Sequence, residues 1–117
     1  MNYNIRYIEL QGKISDIIFD FGPDYELLSV FLASDVSPAK EMIKSIIDDV
    51  LSGKSKYEVY CGNVCRAEIN PSNTKIYDNL ADDAEGKWCE LGTIELRKLI
   101  VEWCDEVDKL SGHEQGC

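Results

Sequence analysis

The sequence has few of the residues from which enzyme sites are usually built. Its single histidine, His113, lies in a short polar segment at the C-terminal end, so neither a Ser-His-Asp triad nor a Cys-His dyad is expected. Neither the P-loop nor the G-x-G-x-x-G pattern occurs, and the acids do not follow the order of an EF-hand. Adjacent carboxylates such as Asp48 and Asp49 point apart on a helix. We therefore predict a protein that is not an enzyme and that uses no cofactor and no metal.

Basic residues are scarce as well. Twelve lysines and arginines stand against 22 aspartates and glutamates, which gives a formal net charge of -10 at pH 7 and a pI near 4.4. Binding to nucleic acid or to an anionic membrane depends on a basic surface, so neither is expected. The surplus of acid either keeps the protein soluble or serves a basic partner.

Long apolar runs and a leader segment are also missing. No stretch has the length of a membrane-spanning segment, and MNYNIRYIEL lacks a basic region followed by an apolar one. We therefore predict a cytoplasmic protein. Its 117 residues should form one α+β domain over residues 1–112, followed by a flexible tail over residues 113–117.

The five cysteines are odd in number and include no C-x-x-C pair, so neither a zinc site nor a disulfide framework is expected. Cys61, Cys65 and Cys104 occupy positions where the hydrophobic pattern favours small apolar residues. We predict that these three are reduced thiols in the core.

The clearest structural signal is a β-hairpin in the segment YEVYCGNVCRAEI. A three-residue loop over residues 62–64 keeps one face of this hairpin wholly apolar, whereas a two-residue loop over residues 62–63 would turn charged side chains toward it. We therefore predict the longer loop. It places Cys61 opposite Cys65, and Tyr60 opposite Arg66, where ring and guanidinium can stack.

Apolar alternation predicts further strands over residues 3–10, 14–21, 74–80 and 87–91. The segment from Tyr25 to Ala33 fits either a buried strand or a short helix after Pro23, and the strand is the preferred interpretation.

Two amphipathic helices are predicted. The first begins at Ser37-Pro38 with Ser37 as N-cap and ends at Gly53. The second begins after Thr93 and ends at Gly112, with Trp103 on its apolar stripe. The predicted fold class is a two-layer α+β domain, in which an antiparallel sheet of five to seven strands packs against both helices.

The densest run of acids outside the helices lies between Asp78 and Glu85. Loops on a rigid sheet often carry binding residues, so we predict a partner-binding surface here. Its members are Tyr77, Asp78, Asp82, Asp83 and Glu85. Such acids can also merely solvate a long connection. A second location for a basic partner is the end of the last helix, where Asp105, Glu106 and Asp108 oppose the helix dipole.

In arrangement and composition the chain resembles the small immunity proteins of bacterial contact-dependent growth inhibition and related polymorphic toxin systems. The resemblance covers the paired N-terminal strands, the helix segment SPAKEMIKSIIDDVLSGK, the hairpin YEVYCGNVCRAEI and the closing segment ELRKLIVEWCDEV with Trp103. These proteins share no invariant functional motif, so the resemblance implies no role for any particular residue.

The resemblance implies an antitoxin that binds and neutralises the C-terminal domain of a cognate toxin, a basic nuclease domain, without catalysing a reaction. An acidic surface would be complementary to such a domain. The alternative is a cytosolic regulatory or housekeeping protein that binds another basic partner.

Overall fold

The computed structural model describes residues 2–79 and 88–115, with side chains as far as residue 110. This part of the chain contains two antiparallel sheets. β1 (Asn4–Leu10) pairs with β2 (Lys13–Asp20), and a four-stranded meander follows in chain order: β3 (Glu58–Cys61), β4 (Cys65–Ile69), β5 (Asn73–Asp78) and β6 (Trp88–Gly92). The predicted α+β class is confirmed. The single sheet of five to seven strands is wrong, because the N-terminal hairpin forms a sheet of its own.

The preferred strand between Tyr25 and Ala33 is also wrong, since this segment is helical. A 3₁₀ turn (Pro23–Tyr25) leads into α1 (Glu26–Val30), a π-helix (Phe31–Val36) and then α2 (Ser37–Leu51). Leu28, Phe31, Leu32 and Val36 are buried in this stretch, at the three- and four-residue spacing of a helix face. Pro23 fits the first turn because its ring fixes a helical φ.

The start of α2 differs from the predicted N-cap. Ser37 already has helical dihedral angles, and its hydroxyl accepts a hydrogen bond from Trp103 Nε1–H at 2.9 Å. A kink follows at Ala39, where φ is -133°, directly after Pro38, which interrupts helical hydrogen bonding. The predicted end at Gly53 is confirmed, since Gly53 adopts a φ of 85°, which a helix terminus commonly requires of glycine.

α3 (Thr93–Gln115) begins one residue before the predicted start and continues past Gly112. Together with α1 it contacts strands of both sheets, so the helices join the sheets around one core. Trp103 packs edge-on against Phe19 at 5.1 Å between ring centroids, and Tyr3 stacks on Phe19 at 4.2 Å. The largest fully buried side chains include Trp103, Phe19, Phe31, Ile17, Leu28, Leu32, Ile43, Ile47, Ile69, Ile76, Leu96 and Ile100. None of the described helices is long and apolar enough to cross a membrane.

A buried carboxylate organises the turn between β3 and β4. Asp35, in the π-helix, is 1% exposed and accepts hydrogen bonds from the backbone N–H groups of Asn63 (2.7 Å), Val64 (3.1 Å) and Cys65 (2.8 Å). Gly62 allows this approach, because a Cβ there would lie 2.5 Å from Asp35 Cγ. The Gly62 N–H donates to the Cys65 carbonyl at 2.8 Å, so the loop consists of Asn63 and Val64.

The predicted register of this hairpin is therefore wrong by one residue. Cys61 lies opposite Arg66 rather than Cys65, and Tyr60 lies opposite Ala67. Because side chains alternate along a strand, the shift turns Val59 and Cys61 to the outer face of the sheet. Cys61 is accordingly exposed and not a core residue, whereas Cys65 and Cys104 are buried as predicted.

Candidate functional site

The outer face of the four-stranded sheet carries a row of side chains that crosses all its strands. The pairing places Cys61 beside Arg66, Arg66 beside Tyr77, and Tyr77 beside Trp88. Helices pack against the opposite face, where Ala67, Ile76 and Cys89 are buried. We call the row Cys61, Arg66, Tyr77 and Trp88 the outer row.

Two aromatic–cation contacts hold this face together. The Arg66 guanidinium carbon lies 4.6 Å from the centre of the Tyr77 ring, and Lys75 Nζ lies 5.0 Å from the centre of the Trp88 ring. The Tyr77 hydroxyl donates to Glu68 Oε1 at 3.3 Å, and Arg66 forms an ion pair with Glu68 at 3.4 Å. The rings are thus fixed in place while Trp88 remains 54% exposed. Pre-positioned aromatic and arginine side chains are the types that dominate protein interfaces.

Arg66 retains capacity for a further hydrogen bond. Its Nε is buried and has no hydrogen-bond partner among the described residues. Because Nε is buried, a partner residue could meet only the exposed part of this guanidinium; the Arg66 side chain as a whole is 40% exposed. The predicted stacking of Arg66 on Tyr60 is wrong, because the register of the hairpin brings Arg66 to Tyr77 instead.

The structure places two of the five predicted binding residues. Tyr77 lies in the outer row, and Asp78 ends β5 opposite Cys65. Asp82, Asp83 and Glu85 lie in residues 80–87, outside the described residues. Sequence reasoning placed Arg66 on an outward face and left the face of Trp88 unassigned. It did not bring either residue together with Tyr77, because that requires the register of four strands at once.

A second surface lies where the first strand meets the end of α3. Tyr3, Glu102, Asp105, Glu106, Asp108 and Lys109 line a groove of about 490 Å³. The Tyr3 hydroxyl donates to Glu102 Oε1 at 2.6 Å. Burial, together with this bond to a carboxylate, raises the pKa of Tyr3 to about 12. This groove contains the acids that were named as the second location for a partner.

The buried thiols of Cys65 and Cys89 are poorly suited to nucleophilic chemistry. Burial, reinforced by the carboxylate of Asp35, raises the pKa of Cys65 to about 12, and burial raises that of Cys89 to about 11. Both are therefore neutral thiols near pH 7, and it is the thiolate that acts as nucleophile. Residues 2–79 and 88–115 contain no group of three or more His, Cys, Asp or Glu side chains that could hold a metal ion.

Comparison with known proteins found one similar protein. The chain is 42% identical over 83 residues to a Bacillus cereus protein named "Immunity protein", and the match covers 71% of this chain and 71% of the relative. No family model matches the chain, and no solved structure matches it. Identity at this level over this share of both chains establishes common descent. The chain therefore belongs to the family of this immunity protein.

Proposed function

We propose that the protein neutralises a cognate toxin by binding the toxin's C-terminal domain, a nuclease, through an acidic surface, as in contact-dependent growth inhibition and related systems. The observation that carries the proposal is membership in the family of an immunity protein. An immunity protein requires a toxin as partner, and it acts in proportion to the amount of complex formed. We propose that it does so in the cytoplasm, without catalysing a reaction.

The charge of the chain supports a basic partner. A formal net charge of -10 attracts a basic nuclease domain over distances of about 10 Å at ordinary ionic strength. Such attraction raises the rate of encounter more than the lifetime of the complex. An acidic protein that covers a nucleic-acid groove would also exclude the nucleic acid itself.

We propose that the contact centres on Tyr77, Asp78, Asp82, Asp83 and Glu85. In support, Tyr77 belongs to the outer row and is held by Arg66 and Glu68. Trp88, the first residue of β6, follows residues 80–87 directly and is exposed. The aromatic side chains would supply contact area, and the neighbouring acids would steer the partner toward them.

The test replaces the three acids together, as Asp82→Asn, Asp83→Asn and Glu85→Gln. Association with the cognate toxin domain should slow by about ten-fold to a hundred-fold and lose much of its salt dependence, because steering charges act on the on-rate. Surface plasmon resonance at low and high salt measures both quantities. Thermal melts of each variant report whether the fold is retained.

A control variant separates local steering from total charge. Asp24→Asn, Glu26→Gln and Glu41→Gln remove the same number of charges from exposed positions on the helical segments, and they should change association far less. If the triple variant of Asp82, Asp83 and Glu85 keeps full growth protection and its association rate depends on salt as in the wild type, the binding surface lies elsewhere. Asp105, Glu106 and Asp108 would be the next location to test.

A further inference from the structure

The N-terminal hairpin extends well beyond the core. Ile17 and Phe19 near its base are buried, whereas residues 6–16 are all exposed. We call residues 6–16 the arm. The radius of gyration is 14.8 Å and the longest dimension is 44 Å, whereas a compact domain of this length has a radius of gyration of about 13 Å. The molecule is thus more extended than a compact domain of this length.

The arm is ordered up to its tip. The strands pair as far as Leu10 and Lys13, and Gln11 and Gly12 between them have positive φ angles of 54° and 81°. Positive φ at both central residues defines a type I′ turn, the turn that matches the twist of a two-residue hairpin. The Ser15 hydroxyl also donates to the Ile8 carbonyl across a bulge in the ladder. A partner would therefore meet a preformed element.

Both faces of the arm expose apolar side chains. Tyr7, which pairs with Ile17, and Ile14 lie on one face and are 55% and 44% exposed. Ile8 and Leu10 lie on the other face and are 41% and 66% exposed. Clustered exposed apolar residues commonly mark interaction sites. A flat partner would cover one face only, so apolar side chains on both faces indicate a partner with a cleft.

The surroundings of the arm favour a basic partner. The groove at its base is lined by four acids, Glu102, Asp105, Glu106 and Asp108, and by one base, Lys109. Lys109 forms an ion pair with Glu106 at 2.9 Å on α3, and β2, the second strand of the hairpin, contacts α3. The base of the hairpin and α3 therefore lie side by side. A second copy would bring another such groove and another net charge of -10, which opposes self-association.

We propose that the arm inserts into a cleft of the toxin domain and holds the complex together through contacts on both of its faces. This inference rests on the proposed function. In this proposal Asp82, Asp83 and Glu85 raise the rate of association, and the arm lowers the rate of dissociation. Apolar contacts desolvated in a cleft act mainly on the dissociation rate.

The test uses two double variants, one for each face of the arm. Ile8→Thr with Leu10→Thr alters one face, and Tyr7→Thr with Ile14→Thr alters the other, while threonine retains the preference for a strand. Each should speed dissociation from the inactivated toxin domain by about ten-fold to a hundred-fold, with little change in association. The control is Met42→Gln with Ile94→Gln, which removes side chains that are 58% and 61% exposed on the helices.

The outcomes separate this inference from the function on which it rests. A wild-type protein that neither binds nor protects against the toxin contradicts the proposed function. A wild-type protein that binds, with both arm variants dissociating at its rate and melting at its temperature, overturns the role of the arm. An effect confined to one face would mean a flat contact and no cleft. A wild-type dimer that an arm variant converts to a monomer, with toxin binding unchanged, would assign the arm to a second copy and also overturn the proposal.

Discussion

Asp35 is the residue on which the central hairpin depends most. Its buried carboxylate binds three successive backbone N–H groups of the β3–β4 turn, at Asn63, Val64 and Cys65. In a simple two-residue turn the Cys65 N–H would donate to the Gly62 carbonyl, whereas here it donates to the Asp35 carboxylate. The sequence could not reveal this contact, because the two partners lie about 30 positions apart. Asp35 also lies two residues after the segment from Tyr25 to Ala33, whose structure was predicted wrongly.

Replacing Asp35 by alanine should lower the free energy of unfolding by about 3 kcal/mol, because the buried N–H of Cys65 and the partly buried N–H groups of Asn63 and Val64 would lose their acceptor. Urea unfolding followed by circular dichroism measures the change. Asp105→Ala is the matched control, since it removes the same charge from an exposed position and should change stability by less than about 0.5 kcal/mol. Equal effects of the two substitutions would mean that the carboxylate of Asp35 does not hold the turn.

At the scale of the elements, the hydrophobic periodicity of the sequence predicted the helices and strands that bury one face against the core. The apolar faces of α2 and α3 and the alternation in β5 and β6 could be predicted, because one buried face imposes a repeat on the sequence. Tyr25 to Ala33 could not, since a short apolar run suits a buried strand and a buried helix equally well. The predicted register of β3 and β4 was wrong for another reason. The hydrophobic pattern favoured a loop that kept one face of the hairpin apolar, whereas the position of the turn is fixed by hydrogen bonds to Asp35, which lies outside the hairpin.

Alkylation of the cysteines tests the register of β3 and β4. In the structure Cys61 points outward, whereas Cys65 and Cys89 are buried with pKa values of about 12 and about 11. At about pH 8, iodoacetamide should therefore modify Cys61 in the native protein well before the other two, because only an accessible thiolate reacts. The measurement is peptide mass spectrometry on a Cys117→Ser background. If Cys61 and Cys65 were equally protected from alkylation, the result would support the register in which they lie opposite each other.

At the scale of the whole molecule, the fold class could be predicted, but the division into two sheets could not. Whether hairpins join edge to edge depends on contacts between residues far apart, and here α1 and α3 fill the space between the sheets. Of the candidate site, the sequence predicted Tyr77 and the outward face of Arg66, but it did not assign Trp88 to the outward face. Their convergence into the outer row depends on the alignment of four strands, and the arm became visible only once the burial of each hairpin residue was known.

The central claim is that this acidic protein neutralises a toxin by forming a complex with it. The most direct measurement is growth of bacteria that express the cognate toxin domain, with and without this protein. It is followed by size-exclusion chromatography of the two purified proteins with the toxin domain inactivated. The account predicts restored growth together with a stable complex of fixed stoichiometry. The account would be contradicted if the toxin still inhibited growth in the presence of the folded protein and the two proteins eluted separately at low salt.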